Sequence, residues 1–109
     1  MANEPSLSYG ERNVIDQLVT AGSKRAIDIR EALNDDLLTM TQSRRLLTRY
    51  KLGWLLTYSP ASFYHMMAGM EDDGTVESWD EAIRLPEQFE VRERWYRLTQ
   101  RGRILREHA

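Results

Sequence analysis

The sequence predicts an α+β fold that is mostly helical, and two kinds of pattern lead to this prediction. Four residue pairs have the spacing of a helix N-terminal capping box, in which Ser, Thr or Asp is followed three residues later by Glu or Gln: Ser8 and Glu11, Asp28 and Glu31, Thr39 and Gln42, and Ser78 and Glu81. Two runs, residues 54–58 and 89–98, are rich in the aromatic and β-branched residues that favour strands. We therefore expect several helices and a small sheet.

Composition and length favour a single domain that spans residues 1–109. The chain is 41% hydrophobic and 29% charged, which is typical of a globular protein. No apolar run approaches the ~20 residues that a membrane-spanning helix needs, and the first twelve residues lack the pattern of a secretory signal. No cysteine is present to form disulfides. We expect a cytoplasmic location.

The first two helices are predicted from capping residues and apolar spacing. The helix that follows Ser8 carries an apolar stripe and is expected to end at Gly22. Residues 25–27 are expected to form a short strand. The second helix is expected to begin at Asp28 and to break at residues 34–36, where Asn-Asp-Asp interrupts the pattern.

A third helix is predicted over residues 39–52, closed by Gly53. At ~100° per residue, its apolar and polar side chains separate onto opposite sides. The polar side has no acidic residue and carries Thr41, Gln42, Arg45, Thr48 and Arg49, with Arg44 at its flank. Arg and Gln make bidentate contacts with base edges in a major groove, and Thr and Arg also bind phosphates. The pattern is typical of a DNA recognition helix, although a solvated surface helix gives the same pattern.

The middle of the chain is expected to contain a strand and two helices. The strand at 54–58 ends at the Ser-Pro pair at 59–60, which has the residue types of a helix N-cap and first turn. The helix that starts there places four apolar residues on one face: Phe63, Met66, Met67 and Met70. Gly74 turns the chain. A further helix is expected to begin at Thr75 or, with a capping box, at Ser78.

The last part of the chain is expected to return as a strand and to end in a helix. Residues 89–98 alternate apolar and polar side chains, with a change of phase in the middle that suggests a bulge. This strand is expected to pair with residues 54–58. Thr99 is expected to cap a short helix that buries Ile104 and Leu105.

The charge of the chain is unevenly distributed. Residues 71–90 hold eight acidic residues and one arginine, a net charge of −7, whereas the whole chain carries −2, so that the remainder carries +5. A basic body with one acidic segment is compatible with nucleic-acid binding, which the total charge alone would not favour.

The order of the predicted elements and two short motifs resemble winged helix-turn-helix proteins, in particular PadR-like and MarR-like regulators. KLGWLLTY at 51–58 resembles the step from the recognition helix to the wing, and YRLTQRG at 96–102 resembles the segment that ends the wing. The resemblance covers residues 8–58 and 92–108. It implies a winged helix-turn-helix with a two-stranded wing, and a homodimeric DNA-binding protein that regulates transcription.

The resemblance also implies which residues contact double-stranded DNA. The helix at 39–52 would enter a major groove, with Gln42 and Arg45 on the bases. The other residues expected to enter the groove or to bind phosphates are Thr41, Arg44, Thr48, Arg49, Lys24, Arg25, Arg92 and Arg94. For Arg92 and Arg94, a solvent-facing strand edge is the other interpretation.

Residues 59–88 depart from the family pattern. They form a partly helical, acidic insert where the family has a short basic wing tip, and phosphate would repel such a tip. The insert carries Phe63, Met66, Met67, Met70 and Trp79, and Met-rich faces adapt to varied surfaces. These side chains are expected to complete the core, to form a dimer interface or to bind a protein partner. The alternative function is therefore a winged-helix protein-interaction module, such as a phage, plasmid or transcription-machinery adaptor.

No pattern favours an enzyme, a metal site or a cofactor. The six glycines form no phosphate-binding loop. His65 and His108 lack metal-ligand spacing, and the acidic residues at 71–73 lack the alternation of a calcium loop. No nucleophile is accompanied by a recognisable base.

Overall fold

The computed structural model describes residues 7–40 and 57–108, which form an α+β fold of four helices and a three-stranded antiparallel sheet. The elements are α1 (Tyr9–Ala21), β1 (Ser23–Arg25), α2 (Ala26–Met40), α3 (Pro60–Asp72), β2 (Val76–Arg84), β3 (Glu90–Leu98) and α4 (Gln100–His108). The predicted α+β class is confirmed. The arrangement is compatible with a small winged-helix-like fold.

Helix α1 begins and ends where the sequence predicts. The Glu11 amide donates to Ser8 Oγ at 3.2 Å, and the Ser8 amide donates to Glu11 Oε1 at 3.0 Å, so the capping box is complete. At the other end, the Gly22 amide donates to the carbonyl oxygen of Leu18 at 2.8 Å. Gly22 has a φ of +80°, a conformation that glycine adopts without steric cost.

The predicted start of the second helix is wrong by two residues, and so is the position of β1. Strand β1 covers Ser23–Arg25 rather than 25–27, and α2 begins immediately after it at Ala26. Asp28 lies in the first turn of α2, and its carboxylate binds the Arg25 guanidinium instead of capping the helix. A carboxylate near a helix N-terminus is favourable in either position, so the sequence signal did not fix the boundary.

The predicted break at 34–36 and the predicted helix start at Thr39 are also wrong, because α2 continues to Met40. The Asn34 side chain does not cap or turn the chain. Instead it accepts from the Tyr58 amide at 2.8 Å and donates to the Tyr58 carbonyl at 3.0 Å. The Thr39 hydroxyl donates to the carbonyl oxygen of Asp35 at 2.8 Å within the same helix, which is a common bond for a helical Thr.

The sheet has the order β1-β3-β2, with β3 in the centre. Strand β3 pairs with β2 without interruption from Val76↔Leu98 to Arg84↔Glu90, so no bulge is present. Its partner is thus β2 and not the predicted strand at 54–58, of which 54–56 lie outside the described residues and 57–58 are in no strand. The helix predicted from Thr75 or Ser78 is also wrong, because Val76–Arg84 form β2. Apolar residues four apart satisfy the period of a strand as well as that of a helix.

The core is a single cluster to which α1, α2, α3 and the base of the sheet contribute. Its members are Val14, Ile15, Leu18, Ala26, Ile29, Leu33, Phe63, Met67, Met70, Val76, Tyr96 and Leu98, all at most 5% exposed. Helix α3 begins as predicted, with the Ser62 amide donating to Ser59 Oγ at 3.1 Å and Pro60 in the first turn. The apolar face predicted for this helix therefore belongs to the core.

Helix α4 is capped as predicted but buries different residues. The Gly102 amide donates to Thr99 Oγ1 at 3.1 Å, and Gly102 is buried. Ile104, which was expected to be buried, is 48% exposed, and Leu105 is half-buried.

Tyr96 is expected to make the free energy of unfolding fall at alkaline pH. Burial, with a smaller contribution from the Glu71 carboxylate, raises the pKa of the Tyr96 phenol above its usual value. The folded state therefore holds this proton more tightly than the unfolded state does. The resulting stability is complete below the unfolded pKa of about 10 and declines as the pH rises through the folded value.

The measurement is the free energy of unfolding by urea at several pH values from neutral to strongly alkaline, for the native chain and for Tyr96→Phe. We expect a steeper alkaline decline for the native chain. Parallel curves would contradict the contribution of Tyr96.

Candidate nucleic-acid interface

A cleft of about 200 Å³ lies along β3, beyond the point where β1 ends. It is lined by Arg25, Ala26, Ile27, Tyr64, Arg92, Glu93 and Arg94. The fold thus brings together three of the predicted DNA-binding residues, Arg25, Arg92 and Arg94, although Arg25 is distant in sequence from the other two. It adds Tyr64, which the sequence analysis did not select.

The alternation of β3 places the two strand arginines beside α3. Side chains two apart on a strand share a face, so Arg92 and Arg94 follow Tyr96 and Leu98 on the side that faces the core. The hairpin of β2 and β3 extends past the core, and every residue from Glu81 to Val91 is exposed. The two arginines therefore emerge into solvent next to the helix.

Tyr64 is positioned by its neighbour in α3. Phe63 is fully buried, whereas Tyr64 is 45% exposed and contacts the Phe63 ring edge-to-face, with 5.5 Å between ring centroids and a 74° angle between planes. The exposed residues of α3 in its first three turns are Pro60, Ala61, Ser62, Tyr64, His65, Ala68 and Gly69. This face carries no Lys, Arg, Asp or Glu, and it offers hydroxyl, imidazole and aromatic groups.

Acidic side chains partly neutralise the cleft. Arg25 Nε lies 2.8 Å from Asp28 Oδ2, and Arg25 Nη1 lies 2.9 Å from Glu93 Oε1. Arg94 Nε lies 3.1 Å from Asp80 Oδ1. The hydrogen bond and charge of Asp28, followed by those of Glu93, raise the pKa of Arg25, and the bond to Asp80 raises that of Arg94. Both guanidinium groups are therefore held in the charged form.

Arg92 differs from the other two arginines of the cleft. Within the described part of the chain it forms no ion pair and no hydrogen bond, and it is exposed. It is thus the arginine of this cleft most accessible to an anion.

Of the remaining predicted DNA contacts, only Lys24 lies within the described residues, and it is not at the cleft. Lys24 faces α1, where its Nζ donates to Gln17 Oε1 at 2.8 Å, and it lines a different depression. The residues predicted on the recognition helix, Thr41, Gln42, Arg44, Arg45, Thr48 and Arg49, lie outside the described residues.

The predicted dimer or partner interface is largely wrong. Phe63, Met67 and Met70 are at most 1% exposed and fill the core, so they cannot form a docking surface, and Met66 packs half-buried against them. Trp79 lies on the opposite face of the sheet, stacked on Trp95 with 6.4 Å between centroids and a 17° angle between planes. The core alternative was the correct one for α3.

Comparison with known proteins adds no assignment. No family model matches the sequence, and no curated protein matches it. Among the described residues, no helix is long and apolar enough to cross a membrane, and no group of three or more His, Cys, Asp or Glu side chains is placed to hold a metal ion.

Proposed function

We propose that the protein is a double-stranded DNA-binding protein of the winged-helix type that regulates transcription. The observation that supports this proposal is the cleft at which Arg25, Arg92 and Arg94 meet Tyr64 of α3. A helix followed directly by a two-stranded hairpin presents two adjacent elements to a duplex. The helix fits a major groove, which is about 12 Å wide, and the hairpin arginines reach the neighbouring phosphates.

Helix α3 replaces residues 39–52 as the groove-binding element in this proposal. It runs into β2 through the turn at Gly74, whose φ is +77°, and its buried side chains belong to the same core cluster as those at the base of the hairpin. Ser62, Tyr64 and His65 are the groups of α3 that would face bases. The alternative, predicted from the sequence, is that the helix at 39–52 enters the groove, with Gln42 and Arg45 on the bases.

The ion pairs of the cleft do not prevent phosphate binding. Exposed ion pairs contribute only about 0–1 kcal/mol each, whereas a phosphate offers several strong acceptor oxygens to the same guanidinium. Arg94 can therefore exchange the carboxylate of Asp80 for a phosphate at small cost. Arg25 binds two carboxylates, those of Asp28 and Glu93, so a phosphate has to compete with both. Arg92 needs no such exchange.

Replacing Arg92 with alanine is expected to weaken DNA binding several-fold for all sequences and to reduce the salt slope by about one, because one phosphate contact is lost. Glu93→Gln is expected to strengthen DNA binding, because it removes a negative charge that competes with phosphate for Arg25. The measurement is fluorescence anisotropy with a duplex selected from a random pool, titrated at several salt concentrations.

Arg103→Ala is the matched control, because Arg103 is an exposed arginine on α4, away from the cleft. If Arg92→Ala and Arg103→Ala had equal effects, or if the native chain bound no duplex above background at low salt, the proposed surface would be wrong. Comparison of Tyr64→Ala with Arg45→Ala for altered base preference then decides which helix contacts the bases.

A protein-interaction module is the second candidate function. It is favoured by the apolar residues that the end of the hairpin exposes, namely Ile83, Leu85, Phe89 and Val91. Failure of DNA binding in the salt titration, with the protein folded, would favour this candidate.

A further inference from the structure

Within residues 7–40 and 57–108, only part of β3 has a partner strand on each side. Strand β1 pairs with β3 at Trp95, Tyr96 and Arg97. From Glu90 to Arg94, no described residue forms a strand on that side, although β2 continues on the other. Among the described residues, this half of β3 therefore presents backbone donors and acceptors along an open edge, which is a template for an added strand.

The residues along this edge leave apolar surface in water. Val91 lies directly opposite Ile83 in the hairpin, and both side chains point away from the core, 43% and 37% exposed. Phe89, two residues before Val91 and so on the same side, is 63% exposed. Adjacent exposed apolar side chains beside an open edge indicate an interaction surface.

The other face of the same edge carries opposite charges without ion-pair partners. Glu90 and Arg92 share that face and are both exposed, and neither forms an ion pair within the described residues. Glu90 lies across the hairpin from Arg84, but no ion pair joins the two. Charges on an edge strand oppose pairing when like charges meet. Here the signs alternate, so that a second copy can supply the complement.

We propose that two copies of this chain associate through the open edges of β3, antiparallel and centred on Val91. In this register Val91 faces Val91 of the second copy, and each Glu90 faces an Arg92. The apolar row then runs continuously from Ile83 through both valines to the second Ile83. Cross-strand pairs of this kind stabilise antiparallel sheets.

The two neighbouring symmetric registers are less favourable. Centring on Arg92 places two arginines opposite each other, and centring on Glu90 places two glutamates opposite each other. The Val91 register also fits the space, because the paired stretch stops before Trp95, where β1 begins to occupy the edge.

The test is sedimentation of the full chain over a range of concentrations, without DNA. We expect the mass to rise from that of one chain, 12.8 kDa, towards twice that value. Arg92→Glu and Glu90→Arg should each hold the mass at that of one chain, because like charges then meet twice across the symmetric pair. The double variant should restore the dimer, since the charges are exchanged in both copies.

Arg103→Glu, a charge reversal on α4, is the matched control and should associate like the native chain. Val91→Lys, which places two ammonium groups opposite each other, should abolish association without touching the core. A native chain that stays monomeric at the highest concentration, or a double variant that stays monomeric while its circular dichroism is native, would overturn the proposal.

Association measured in this way does not depend on DNA binding, so the failure of one proposal is distinguishable from the failure of the other. Arg92 belongs to both surfaces. If the proposed function holds, association and DNA binding compete, and excess duplex should lower the dimer fraction of the native chain.

Discussion

Replacing Phe63 with alanine is expected to destabilise the protein by about 3–5 kcal/mol, the usual cost of removing a buried aromatic side chain. Phe63 is 1% exposed and belongs to the cluster that joins α3 to the other helices and the base of the sheet. Its removal leaves a cavity lined by residues of several elements, which a small domain cannot readily close. The measurement is urea unfolding followed by circular dichroism.

Tyr64→Ala is the matched control, because Tyr64 is adjacent in sequence, is also aromatic and is 45% exposed. It should lose only the edge-to-face contact with Phe63, about 0.5–1.5 kcal/mol. If the two variants were equally stable, α3 would not be a core helix. A stable Phe63→Ala variant that failed only in self-association would restore the interface interpretation.

Replacing Gly102 with alanine is expected to have the second large effect. A Cβ at this position would overlap the carbonyl oxygen of Thr75 and would lie 3.0 Å from Leu98 Cδ2. The Thr75 carbonyl cannot move freely, because it accepts hydrogen bonds from the Thr99 amide and the Thr99 hydroxyl, both at 3.1 Å. The first turn of α4 must therefore separate from the start of β2, at a cost of about 1–3 kcal/mol or more.

Gly69→Ala is the control for this substitution. Gly69 lies within α3, and a Cβ there would have no heavy atom within 4 Å. Because alanine is the better helix former, we expect a gain of about 0.5–1 kcal/mol. Thermal unfolding of both variants should give midpoints on opposite sides of the native value. A Gly102→Ala variant as stable as the native chain would mean that α4 does not pack closely on β2.

The parts of the fold that the sequence predicted are those fixed by local chemistry. Ser8 with Glu11, and Ser59 with Pro60, begin α1 and α3 where expected, and Gly22 ends α1, because a cap needs only residues within one turn of it. Thr99 caps α4 for the same reason.

The parts that were wrong depend on contacts distant in sequence. Asn34 looked like a helix breaker, but its amide binds the backbone of Tyr58, 24 residues away. Residues 76–84 carry apolar side chains that suit a helix or a strand, and pairing with β3 decides for the strand. Neither contact can be read from the local pattern.

The candidate site was predicted in part. Positive charge selected Arg25, Arg92 and Arg94, which the structure brings to one cleft, but it did not indicate the carboxylates that pair with two of them. Tyr64 was missed, although it follows a residue assigned to the apolar face of α3 and so had to point away from it. Lys24 was selected by charge alone, and its position in β1 turns it towards α1.

The outer half of the β2–β3 hairpin has a dynamic consequence. Residues 81–90 are exposed throughout, and β2 and β3 hold each other there without support from the core. Opening this half removes no core residue from its packing, so its free energy must be smaller than that of global unfolding. The outer half of the hairpin can therefore open locally while the core stays packed. Binding to a DNA duplex or to a second copy would order this part of the hairpin, and the conformational entropy lost in doing so lowers the affinity.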